Sequence, residues 1–107
     1  MILRRGFSAK YTLDARTASG ARIETDTLVD AVYTIGPAND ALLSKSLSDG
    51  GLTIAHNDDI GDGLLTVKIA NEELQYIGKT FHQLFVTDCH GNRFPVKLRP
   101  DFLIVEA

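Results

Sequence analysis

The chain has one cysteine, Cys89, no tryptophan, one methionine and three prolines in 107 residues. A single thiol excludes an intramolecular disulfide framework and any zinc site built on several cysteines. No apolar run approaches the ~20 residues that a helix needs to cross a bilayer, so no membrane partner is expected. Residues 1–6 carry a basic pair, Arg4 and Arg5, with no apolar stretch behind it, so a secretory signal is not expected either. Helical periodicity over any length is also missing. The rest of the composition is ordinary, with 44% apolar and 23% charged residues. A chain of this size buries roughly 65% of its unfolded surface, enough to fold without staples. One domain over residues 1–107 is expected, with residues 1–6 read as a flexible N-terminal arm.

Charge is low overall and unevenly spread. The net formal charge is −3. Residues 1–22 hold Arg4, Arg5, Lys10, Arg16 and Arg22 against Asp14, and all the excess of acid falls after them. A nucleic-acid binder usually presents a basic face from a basic domain, so no nucleic-acid partner is expected of this acidic one. The asymmetry suits a solvated surface, or a head-to-tail contact in which the basic start of one copy meets an acidic face of another.

What is present is alternation with a period of two. Phe7, Ala9, Tyr11 and Leu13 alternate with Ser8, Lys10 and Thr12, and Val29, Ala31, Tyr33 and Ile35 do the same around Asp30 and Thr34. Leu52, Ile54 and His56 repeat the pattern, followed by Leu65, Val67 and Ile69, and later by Phe94, Val96 and Leu98. Residues 42–47 and 79–87 are further runs, and residues 102–105 form a continuous apolar one that reads as buried on both faces. In the 79–87 run Phe81 and Phe85 point one way and Leu84 and Val86 the other, which a local bulge or a covered second face would explain. Pro95 lacks an N–H and belongs on an edge or near a strand start.

Turn chemistry separates the runs. Ser48-Asp49-Gly50-Gly51 and Asp88-Cys89-His90-Gly91-Asn92 read as hairpin connections, and residues 36–40 and 57–63 as polar turns. Residues 71–76 could make a single helical turn, capped by Asn71 with Glu72 and Glu73 behind it and closed by Gly78. Residues 14–27 read as a long polar loop. The result is an all-β chain: an Ig-like β-sandwich of about seven to eight antiparallel strands with at most one short helical turn.

The residues that could carry chemistry do not converge. His56, Asn57, Asp58, Asp59 and Asp62 offer oxygen ligands but lack the twelve-residue calcium loop and its terminal glutamate, so residues 56–62 read better as a solvated turn. His82 stands mid-strand, where a histidine is more often a cross-strand partner than a general base. Cys89 and His90 are neighbours at a hairpin tip and cannot close a metal site or a nucleophile–base pair by themselves. No G-x-S-x-G elbow is present, and Gly50-Gly51 and Gly61-Asp62-Gly63 lack the lysine of a phosphate-binding loop. Glu72 and Glu73 diverge. No catalytic, cofactor or metal residues are assigned, and no enzyme is expected.

The order of the pieces carries a resemblance. Arg4-Arg5-Gly6 feeds a strand, and residues 26–35 turn into an alternating one. Ser46 to Ile54 and Gly63 to Ile69 follow, then a short acidic turn, Gly78 to Asp88 and a final apolar strand. Over nearly its whole length the chain resembles the Ig-like domain of tailed-phage tail and baseplate proteins, such as the N-terminal module of baseplate upper proteins. It departs at residues 26–31, where those domains often carry an Asp-Leu-Thr-Gly-type turn and this chain has Asp26-Thr27-Leu28-Val29-Asp30-Ala31. The resemblance implies a phage or prophage structural protein of the tail, baseplate or head–tail joining region. Its partners would be other phage structural proteins and further copies of itself. It would be made in the host cytoplasm, which suits a free Cys89, and would end in the virion. The alternative from another class is a carbohydrate- or ligand-binding β-sandwich module. With Tyr11 and Tyr33 on core faces, such a module would have to use Tyr76.

Overall fold

A computed structural model describes residues 2–17, 19–20, 23, 25, 28–36, 42–57 and 61–107, with 55–57 and 61–63 described in backbone alone. Among these residues there are ten strands: β1 (Ile2–Arg4), β2 (Ala9–Thr12), β3 (Ala15–Arg16), β4 (Leu28–Ile35), β5 (Leu43–Ser46), β6 (Leu52–Asn57), β7 (Gly61–Ile69), β8 (Gly78–Asp88), β9 (Arg93–Leu98) and β10 (Phe102–Glu106). Seven make one sheet, with β1, β10, β8, β4 and β5 in that order, β9 beside β8 and β3 beside β9. The other three make a second sheet in the order β2, β7, β6. The chain is an all-β sandwich.

Two expectations are corrected. There are ten strands rather than seven or eight, because β1 and β3 span three and two residues, too short for alternation to show. Nor is every pair antiparallel. β1 runs parallel to β10, with Ile2 opposite Ile104 and Arg4 opposite Glu106. Part of the stretch read as an arm therefore lies on the chain's own sheet, with Leu3 buried. Likewise β3 interrupts the stretch read as a loop, and Ile23 and Thr25 within that stretch pack inward.

Alternation explains the core. β7 buries Leu65, Val67 and Ile69, and β4 buries Ala31, Tyr33 and Ile35 across from them. β8 alternates without interruption, placing Thr80, His82, Leu84 and Val86 inward. In β10 only Leu103 and Val105 are buried, while Phe102 is half-exposed and Ile104 exposed. The run read as covered on both faces is thus covered on one.

The strand line beside β8 is broken. β9 pairs with residues 84–87 of β8, and β10 with residues 78–81. Residues 99–101 make the step between them, where the Asp101 carbonyl accepts the His82 N–H at 3.3 Å. Among the described residues, Pro95 lies in β9 at a level where only β8 flanks it, because β3 reaches Lys97 and Leu98 alone.

Residues 71–73 form a turn, not a helix. The Glu73 N–H donates to the Ala70 carbonyl at 3.1 Å, and the Glu73 carboxylate accepts the Ala70 N–H at 2.8 Å. Ala70 thus takes the capping position expected of Asn71. The same carboxylate pairs with Lys45 of β5, tying one sheet to the other and holding the Glu73 carboxyl below its usual range.

At the other expected turn, the Asp49 carboxylate accepts the Ser46 and Gly51 N–H groups at 3.0 and 2.7 Å, and Gly50 has φ +81°. A side chain at Gly50 meets no atom, so its cost is conformational. Gly50→Ala is expected to lose about 1–2 kcal/mol by denaturant unfolding, whereas a free choice of backbone there would leave the midpoint unmoved.

Candidate interaction face and the buried tyrosine–histidine chain

The strict alternation of β8 sends Lys79, Phe81, Gln83, Phe85 and Thr87 to the outer face of the large sheet. Register brings apolar neighbours beside them. Phe102 lies opposite Phe81, Ile104 opposite Lys79 and Ile2 opposite Ile104, while Val32 and Pro95 flank Phe85. The outcome is an apolar stripe across β1, β10 and β8, with Phe81 at 55% exposure and Ile2 at 62%. No register shift occurs within β8's pairing to β9 or β10, so a bulge does not account for its two-faced pattern.

Cations border this stripe. The Lys79 ammonium sits 4.6 Å from the centre of the Phe102 ring, and the Arg93 guanidinium 5.0 Å from that of Phe85. Both are contacts in which a positive charge meets the negative face of an aromatic ring. Where β9 leaves β8, a cleft of about 520 Å³ opens between Phe81 and Phe85, with Gln83, Lys97, Arg99 and Asp101 at its rim.

Behind the cleft a hydrogen-bond chain crosses the core. His82 Nε2 bonds the Pro100 carbonyl, His82 Nδ1 lies 2.8 Å from the Tyr33 hydroxyl, and that hydroxyl lies 2.8 Å from the Tyr11 hydroxyl. A carbonyl only accepts, so Nε2 carries the proton and Nδ1 accepts from Tyr33, whose oxygen accepts from Tyr11. The rings meet edge to face, at 5.6 Å for Tyr33–His82 and 6.3 Å for Tyr11–Tyr33. Burial pushes the Tyr11 hydroxyl up to about 12, against the Tyr33 hydrogen bond, and raises Tyr33 further with help from Tyr11. Burial also lowers the His82 pKa, although the Pro100 carbonyl acts the other way. The arrangement holds a neutral imidazole in one tautomer and ties β2 of one sheet to β4, β8 and the 99–101 step of the other.

His82 thus stands as a partner to a neighbouring strand's side chain. Cys89 and His90 lie exposed at the tip of the β8–β9 hairpin, where the Asp88 carboxylate accepts the His90 and Asn92 N–H groups at 2.9 and 3.0 Å. Glu72 is exposed, and Glu73 is turned to Lys45 and Ala70. Gly50 and Gly51 shape the turn before β6, and Gly61 to Gly63 belong to the backbone of β7. Of residues 56–62, residues 58–60 lie outside the described residues, and the others are described in backbone alone. Among the described residues no three His, Cys, Asp or Glu side chains gather as a metal site, and no helix is long and apolar enough to cross a membrane. Tyr76, on which a carbohydrate platform would rest, donates its hydroxyl to the Lys79 carbonyl at 3.2 Å and lies against Gly78. The chain matches no family model, no curated protein and no solved structure.

Proposed function

We propose that the chain is a non-enzymatic assembly module that works through protein–protein contacts. In keeping with the family it resembles, we place it in the tail, baseplate or head–tail joining region of a phage or prophage particle. The observation that carries this reading is the apolar stripe of Ile2, Ile104, Phe102 and Phe81 on the outer face of the large sheet. An apolar patch spread over three adjacent strands and bordered by charge is the anatomy of a protein interface. The aromatic at its centre, Phe81, is of the residue class that anchors such contacts.

The test combines absolute mass by light scattering, over a range of protein concentrations, with binding to purified tail and baseplate proteins. Retention of one of these, or a discrete oligomer, lost in a folded Phe81→Ser variant supports the reading. A chain that stays monomeric and retains none of them overturns it. Since Phe81 is largely in solvent, Phe81→Ser is expected to move stability by less than about 0.5 kcal/mol.

A further inference from the structure

The interaction face is basic in a chain that is acidic overall. Lys79 and Arg93 lie on its aromatic rings, Lys97 and Arg99 stand at the rim of the cleft, and Arg4 closes the β1 end. All five are exposed, and none enters an ion pair among the described residues, where the pairs are Arg16–Asp14 and Lys45–Glu73. The acids of the same face are Asp101, Glu106 and Asp30, and Asp30 already accepts from the Ala31 N–H at 2.9 Å. Apolar surface and net positive charge therefore coincide here, while the chain carries −3.

From this coincidence the geometry points to the partner's chemistry. The face takes an acidic segment of another protein, laid across β8 with one large apolar side chain seated in the cleft between Phe81 and Phe85. Carboxylates flanking that side chain would meet Lys97 and Arg99 on one side and Lys79 or Arg93 on the other. Two features favour this occupant over a second copy of the chain or a nucleic acid. Aliphatic Ile2 and Ile104 extend the stripe away from the rings, which suits aliphatic side chains better than stacked bases. Five cations on each of two like faces would repel each other in a symmetric dimer. The inference rests on the assembly reading and names the partner class for it.

The test uses the full chain and fluorescence anisotropy with three short labelled probes. The first peptide alternates glutamate with phenylalanine and leucine, the second has glutamine in place of each glutamate, and the third probe is single-stranded oligothymidylate. The acidic peptide should bind, weaken as salt rises, and lose about thirtyfold in affinity with Phe81→Ser. The double variant Lys97→Glu with Arg99→Glu should lose the preference for the acidic peptide over the neutral one, with circular dichroism showing that both variants fold. Equal binding of the two peptides, or binding of neither by the folded chain, overturns the acidic segment but leaves the assembly reading standing if a tail or baseplate protein is still retained. A discrete oligomer lost in Phe81→Ser names a second copy as the occupant and overturns the acidic segment. Binding of the oligothymidylate alone overturns both.

Discussion

Leu103→Ala should lower stability by about 2–5 kcal/mol, while Ile104→Thr, one residue on, should stay within about 1 kcal/mol. Leu103 is fully buried, on a strand held between β1 and β8, and faces the second sheet. Truncating it removes apolar contact and leaves a cavity that two hydrogen-bonded neighbours keep from collapsing. A domain of this size has only about 5–15 kcal/mol to lose. Each kcal/mol moves the melting temperature by about 4–8 °C, so the Leu103 variant should melt at least roughly 8 °C lower. Ile104 points outward at 36% exposure, and threonine keeps its β-branch. Denaturant midpoints for the two variants provide the check. Similar losses from both would mean that β10 is covered on its outer face as well, and the interaction stripe would have to be redrawn.

The difference between those neighbours marks how far the sequence can be read. Residues 102–105 are apolar throughout, so periodicity has nothing to separate, and the side of β10 that faces the core is set by its register against β8. In β7 the reading succeeds, with Leu65, Val67 and Ile69 all buried, whereas Phe7 and Phe94, the first residues of their alternating runs, are exposed. In β4 it succeeds for Ala31, Tyr33 and Ile35 and fails for Val29, which is 64% exposed. The cause is a register shift between Leu28 and Asp30 against β8, which inserts Val29 as an extra residue and gives its core position to Leu28. A bulge resets the phase of a strand without any signal in composition. The parallel pairing of β1 with β10 joins opposite ends of the sequence, and no local pattern encodes it.

The candidate face was half legible. Phe81 and Phe85 stand out as apolar residues on the side of β8 opposite Leu84 and Val86, which requires either a bulge or a covered face. Its cations were not legible as a group, because Arg4, Lys79, Arg93, Lys97 and Arg99 come from three strands and a connecting step that meet only in the fold. The uneven charge of residues 1–22 pointed instead to the start of the chain, and only Arg4 from that stretch borders the stripe. The tyrosine–histidine chain was less visible still. Alternation places Tyr11, Tyr33 and His82 on inward faces, but their meeting depends on how one sheet sits over the other.

That buried chain makes stability depend on pH in two separate windows. In the folded protein the His82 pKa lies below its ordinary 6.5, because burial disfavours the imidazolium by more than the Pro100 carbonyl favours it. Between the lowered value and 6.5 the unfolded chain binds a proton that the folded chain refuses, so stability rises with pH there. The contribution is complete above that window and is lost as pH falls through it. The carboxyls of Asp49, Glu73 and Asp88, held low by backbone N–H groups and by Lys45, add their own loss only at more acidic pH. At the alkaline end the sign reverses. Tyr11 is raised from 10.0 to about 12, so stability is complete below 10 and declines as the unfolded tyrosines ionise first. His82→Gln should flatten the near-neutral limb, since an amide can donate to Pro100 and accept from Tyr33 without titrating. His90→Gln, at the exposed hairpin tip, serves as the control. Tyr33→Phe removes the hydroxyl joining Tyr11 to His82 and strands Nδ1 in the core, at an expected cost of about 1–3 kcal/mol at neutral pH. Denaturant midpoints at closely spaced pH values measure all three variants. If His82→Gln keeps the full near-neutral slope, the buried imidazole is not its source, and the chain from Tyr11 to Pro100 loses its role in setting the pH range of the fold.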